Sequence, residues 1–213
     1  MSLEKKINYT ASNTYTTLNA INEKTKNVWL VFHGMGYLSK YFTKYFTNLD
    51  SEENYIIAPQ APSKYYLGTE FKHVGACWLT RENTAEEIKN VLTYVDAVFE
   101  AEAIADNINF IVVGYSQGVS IALRWLSSRK IQCSHLILHS GGIPIELVHE
   151  DFLYQKKTTK VTYLCGDTDE YISDEVRKEQ FSKGKVLFGD RFMTNIFKGG
   201  HVFYNDILIK IIN

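Results

Sequence analysis

Residues Asn109 to Trp125 read NFIVVGYSQGVSIALRW, an apolar run that meets Gly-Tyr-Ser-Gln-Gly and then continues with apolar residues at helical spacing. The pattern predicts a buried strand over Phe110 to Val113, a tight turn at Ser116, and a helix from about Gln117 to Ser127. A strand that passes straight into a helix through one turn suits a sheet with helices laid on it. The match to G-x-S-x-G constrains the turn further. A sharp strand-to-helix turn holds the serine in a strained backbone conformation with its hydroxyl exposed. Gly114 and Gly118 relieve the crowding that side chains would cause on either side. The plainer alternative makes the glycines packing residues and Ser116 a helix cap. The strand before it and the helix after it favour a reactive serine.

The rest of the chain repeats the alternation. YTTLNAINEKTKNVWLVFHG reads as an extended segment, a polar turn at Asn22 to Asn27 and a buried strand over Val28 to Phe32. NYIIAPQAP is a short apolar run stopped by Pro59 and Pro62. Ile88, Val91, Leu92, Val95 and Val98 recur at helical spacing between Thr84 and Ala103, with Asn83 or Thr84 as the cap. HLILHS and KVTYLCG read as strands, Asp174 to Lys183 as a charged helix, VLFGDRFMTNIFKGGH as extended, and the stretch near Phe203 to Ile211 as a terminal helix. Short apolar strands alternating with helices imply an α/β fold with a mostly parallel central sheet covered on both faces. Ligands in such sheets sit at the carboxyl ends of the strands. With 213 residues the expectation is one domain, without a large inserted lid.

A serine hydroxyl is a weak nucleophile until a base takes its proton. His201, in FKGGHVF, follows an extended run and two glycines, so it falls in a loop beyond a strand end. A base of this kind needs a carboxylate to fix its tautomer. LCGDTDEYI offers Asp167 and Asp169 directly after a strand. Taken singly, the aspartates read as solvated turn residues and His201 as a surface loop histidine. Together they follow the serine–aspartate–histidine chain order of α/β-hydrolases, each at a strand exit. The N–H of Gln117, at the head of a helix, is placed to donate to a developing oxyanion. VFHGMGY supplies a second donor at or close to Met35, with His33 read as a structural side chain that hydrogen-bonds the loop. His73, His135, His139 and His149 carry no comparable argument.

Composition narrows the partners. Apolar residues are 45% of the chain, charged residues 22%, and the net charge is −1, so no electrostatic pull toward nucleic acid or an anionic membrane is expected. No stretch approaches the roughly 20 apolar residues of a membrane helix. The start, MSLEKKINYTASNTY, has lysines without an apolar segment behind them, so no secretory signal is expected and the cytoplasm is the default. Cys77, Cys133 and Cys165 show no CxxC spacing, and buried free thiols are expected for Cys133 and Cys165. Nothing in the sequence sets an oligomeric state.

FHGMG, APQAP with Trp78 downstream, GYSQG, LHSGGIP, CGDTDEYI and GGH span nearly the whole chain. With these motifs the chain resembles the small α/β-hydrolases of the phospholipase/carboxylesterase family, which includes acyl-protein thioesterases. The resemblance implies that Gly166 to Asp169 is the family's G-x-x-D stretch, which selects Asp169 over Asp167 as the acid. It implies that Met35 and Gln117 supply the two oxyanion amides. Two positions depart from the family's usual pattern: Val119 stands where a second glycine often follows the elbow, and Tyr37 where an aspartate often follows HG-x-G.

The expected chemistry is acyl transfer from an ester or thioester to water by Ser116, Asp169 and His201, with no metal or organic cofactor. The expected partner is a small or acylated substrate, held in a small or open acyl pocket lined by some of the aromatic residues that follow His33 or precede Trp78. A histidine base is lost as the pH falls below about 6.5. The same triad serves serine peptidases and other amide hydrolases. A non-catalytic binding protein on the same fold is a third reading, against which the full set of nucleophile, acid, base and oxyanion positions speaks.

Overall fold

The computed structural model describes residues 1–105, 107–206, 208 and 210. In chain order the elements are β1 (Tyr15–Leu18), β2 (Asn27–Phe32), α1 (Ser39–Phe42), β3 (Asn54–Pro59), β4 (Ser63–Leu67) and β5 (His73–Cys77). They continue with α2 (Thr84–Ala101), β6 (Asn109–Tyr115), α3 (Gln117–Arg129), β7 (His135–His139), β8 (Lys160–Gly166), α4 (Asp174–Phe188) and β9 (Phe192–Phe197).

Seven strands form one sheet in the order β1-β3-β2-β6-β7-β8-β9. Every pairing is parallel except β1 with β3. The inner strands are apolar on both faces because both faces are covered. Trp29, Val31, Ile111, Val113, Ile137 and Leu164 point to one side, where Phe42, Phe46, Phe203 and Leu208 pack on them. Leu30, Phe32, Val112, Leu138 and Tyr163 point to the other side, under α2, α3 and α4. Trp29, Trp78 and Trp125 are wholly buried. At about 25 cal/mol per Å² each contributes roughly 4–6 kcal/mol of burial.

Register lines up the strand exits. Phe32 pairs with Gly114, Tyr115 with His139, His139 with Leu164, and Gly166 with Phe197. The segments after β2, β6, β7, β8 and β9 therefore leave the sheet along one edge. These are the segments that carry Met35, Ser116, Ser140, Asp169 and His201.

The hairpin β4–β5, for which the sequence offered no element, forms a separate two-stranded sheet. Two local expectations differ from the structure. Helix α4 runs on to Phe188. Asn83 holds the cap position of α2 with φ 49°, but its side chain makes no cap bond; its carbonyl accepts from Glu86 and Glu87 instead. The terminal helix expected near Phe203 to Ile211 lies partly outside the described residues. Among the described residues no helix is long and apolar enough to cross a membrane.

Candidate active site

Ser116 sits between β6 and α3 with φ 52° and ψ −120°, a conformation that L side chains rarely adopt. Its surroundings hold it there. A Cβ on Gly114 would lie 2.5 Å from the Cα of Val119, and one on Gly118 would lie 2.2 Å from the carbonyl oxygen of Phe32. A Cβ on Gly141 would lie 2.1 Å from the Ser116 carbonyl oxygen. The Ser116 N–H donates to the His139 carbonyl at 2.8 Å, anchoring the turn to the neighbouring strand.

The exits of β8 and β9 bring two further side chains to this turn. His201 Nε2 lies 2.9 Å from Ser116 Oγ, and His201 Nδ1 lies 2.9 and 3.0 Å from the two carboxylate oxygens of Asp169. A carboxylate only accepts, so Nδ1 carries the proton and Nε2 faces the serine with its lone pair. The Asp169 side chain has no exposed surface, and the His201 ring keeps 13% of its own. The Tyr171 N–H donates to Asp169 Oδ1 at 3.0 Å and helps fix the carboxylate. Asp167 serves elsewhere, accepting from the Gly199 N–H at 2.9 Å.

The loop bearing His201 is held at successive points. The Tyr115 hydroxyl donates to the His201 carbonyl at 2.9 Å, and the His201 N–H donates to Glu170 Oε2 at 3.0 Å. The Tyr171 ring meets the imidazole edge-on, with centroids 4.8 Å apart. His139 Nε2 accepts from the Tyr204 N–H at 2.9 Å, and its ring stacks on Phe203. Burial, with the neighbouring His201 as a smaller cause, pushes His139 down to about 3, so it is a neutral acceptor.

Met35 lies in the loop after β2 and is well exposed. Gly34 brings that loop against the serine, since a Cβ there would be 3.1 Å from Ser116 Cβ. Gln117 opens α3, where first-turn amides have no intrahelical acceptor. His33 is buried and pushed down to about 4 by desolvation. Its Nδ1 donates to the Gly34 carbonyl at 2.8 Å and its Nε2 accepts from the Ala61 N–H at 3.1 Å, which makes it a brace for the loop. Among the described residues no cluster of His, Cys, Asp and Glu has metal-holding geometry.

The sequence profile of the phospholipase/carboxylesterase family matches residues 13–213. The chain belongs to this family. Among solved structures, this phospholipase/carboxylesterase family member is similar to acyl-protein thioesterase 2 of Zea mays, at 14% identity and TM-score 0.68 over 94% of this chain and 96% of that one. It is similar to esterase PE8 at 21% identity and TM-score 0.68, over 94% and 96% of the two chains. A phospholipase/carboxylesterase from Dyadobacter fermentans shares 18% identity, with TM-score 0.63 over 95% and 96%. These likenesses show the α/β-hydrolase fold. No curated protein matches the chain by sequence.

Several side chains around the site escaped sequence reasoning. The Gln117 side chain accepts from the Trp78 N–H at 2.7 Å and donates to the Leu79 carbonyl at 2.6 Å, tying the segment after β5 to the serine turn. The Trp78 indole donates to the His33 carbonyl at 2.8 Å. Tyr115, His139 and Glu170 act on the loop of His201 through contacts between distant segments, which no local pattern encodes. Gly141 left a trace only in the motif LHSGGIP.

Proposed function

We propose that this family member is a serine hydrolase that cleaves carboxylic esters or thioesters through an acyl-enzyme intermediate. The observation that carries the reading is the unbroken row from Ser116 Oγ through His201 to Asp169, with both contacts at 2.9 Å. His201 Nε2 takes the hydroxyl proton as Oγ bonds to the acyl carbon, and the carbonyl electron pair moves onto oxygen. The N–H groups of Met35 and Gln117 donate to that oxyanion. Collapse of the intermediate breaks the bond to the alcohol or thiol, which leaves with the proton from Nε2. Water then loses a proton to His201 as it attacks the acyl carbon, and collapse breaks the acyl–Oγ bond to release the acid while Nε2 returns the proton to Ser116 Oγ. Asp169 holds the Nδ1 proton throughout and stabilises the imidazolium.

Its three cysteines are free and buried, which suits a reducing compartment such as the cytoplasm. The test is hydrolysis of matched ester, thioester and amide substrates of several acyl lengths, run beside Ser116→Ala. Ester or thioester turnover that the substitution removes supports the reading. Turnover that survives it, or cleavage of amides alone, overturns it.

A further inference from the structure

Beside the Met35 loop lies a groove of about 410 Å³, within the roughly 300–1,000 Å³ usual for small-molecule sites. Gly36, Tyr37, Leu38, Lys40 and Tyr41 form one wall, and Leu67, Lys72, His73 and Val74 of the β4–β5 hairpin form the other. The walls are fixed to each other at their base. The Gly36 N–H donates to the Ala76 carbonyl at 2.8 Å, and a Cβ on Gly75 would lie 2.6 Å from the Gly36 carbonyl oxygen.

The groove borders the loop expected to supply an oxyanion amide. Gly36 follows Met35 directly, and the Tyr37 ring meets Tyr115, the neighbour of Ser116, edge-on at 5.8 Å between centroids. Its apolar walls lie open to solvent: Tyr41 is 50% exposed, Leu67 38% and Val74 37%. Its charges have one sign, because two lysines line it without an aspartate or glutamate. Lys44 adds a further cation, its ammonium 5.0 Å from the Tyr41 ring centroid. Lys72 pairs with Glu70 at 2.7 Å, but both side chains are about 70% exposed, and such pairs exchange readily for another anion. The chain as a whole carries −1, so this positive groove is a local arrangement.

We propose that the groove is a substrate subsite for acyl compounds that carry an anionic group, a carboxylate or phosphate, next to a short apolar segment. The proposal rests on the ester-hydrolase reading above and names the substrate class for that site. The anion can sit on the acyl side or on the leaving group, and two matched pairs of esters separate these. The first pair is 4-nitrophenyl hexanoate with the mono-4-nitrophenyl ester of adipic acid. The second is phenyl butyrate with 3-carboxyphenyl butyrate.

In one pair the anionic member should show a kcat/KM about tenfold or more above its neutral partner at low ionic strength, and Lys40→Ala/Lys72→Ala should bring that ratio close to one. Binding of the same esters to Ser116→Ala protein gives a reading independent of turnover. There the favoured anionic ester should bind about tenfold more tightly than its neutral partner, and adding the two lysine substitutions should erase the difference. Equal binding within both pairs, or a preference that survives loss of both lysines, overturns the groove assignment. Loss of turnover for all four esters with the binding preference intact would overturn the hydrolase reading alone.

Discussion

The Tyr115 hydroxyl donates across 2.9 Å to the main-chain carbonyl of His201, while the two rings stack with centroids 5.4 Å apart. The residue before the serine therefore holds the residue that faces it. Burial raises the Tyr115 phenol well above its ordinary range, so the hydroxyl stays a donor at any working pH. Tyr115→Phe keeps the stacked ring and removes the tether, an interaction worth about 1 kcal/mol. We expect kcat to fall roughly five- to tenfold with KM within twofold of the parent. Unchanged steady-state kinetics would show that the tether does not set the position of His201.

The two glycines of LHSGGIP should respond oppositely to alanine. A methyl on Gly141 would meet the Ser116 carbonyl oxygen at 2.1 Å and Val119 Cγ2 at 2.5 Å, whereas one on Gly142 meets nothing within 4 Å. Gly141→Ala should remove activity and lower stability by about 2 kcal/mol or more, as overpacking does. Gly142→Ala should leave both close to the parent. Thermal melts beside an ester assay read the difference.

Gln117→Ala keeps the backbone N–H but cuts the tie to Trp78 and Leu79. It leaves the Trp78 N–H without its acceptor, a loss of about 1–3 kcal/mol. For a chain of this size that corresponds to a Tm lower by roughly 2–12 °C, with slower labelling of Ser116 by an acylating probe.

Folding stability should fall on acidification. Burial depresses His33 to about 4 and His139 to about 3, from an ordinary value of 6.5. Above 6.5 both are neutral whether folded or unfolded, and stability is at its full value. As the pH falls below that, the unfolded chain takes up protons that the folded chain refuses. The loss runs at about 1.4 kcal/mol per pH unit for each histidine, down to about 4 for His33 and about 3 for His139. Urea melts between pH 7 and 4.5 measure the slope, and His139→Phe should reduce it by about one proton. A slope unaffected by that substitution would remove His139 from the account.

The parallel core was legible because its strands are apolar on both faces: Val28 to Phe32, Phe110 to Val113 and Leu136 to Leu138 each read as continuous buried runs. The hairpin β4–β5 was not, since every residue from Ser63 to Leu67 is exposed and no alternation marks an inner face. Helix α4 was read as stopping before Gly184. In the structure the helix runs through that glycine, whose missing side chain leaves room for Phe192: a Cβ there would lie 2.1 Å from the ring. The bare side chain lets helix and strand close together. At the candidate site, Ser116, Gln117, His201 and the pair Asp167 and Asp169 stood out through spacing and strand exits, whereas the choice of Asp169 over Asp167, and of Met35 within its loop, came from the family resemblance. Tyr115, His139 and Glu170 did not stand out, since their partners lie far away in sequence and meet them only once the sheet has formed.

Labelling of the folded protein with a fluorophosphonate, followed by peptide mass spectrometry, tests the central proposal most directly. We expect a single adduct on Ser116, absent in Ser116→Ala and formed at least a hundredfold more slowly in His201→Ala, at about 2.7 kcal/mol for that factor. Failure of Ser116 to react, or a rate unaffected by the loss of His201, would contradict the assignment of these two residues as nucleophile and base.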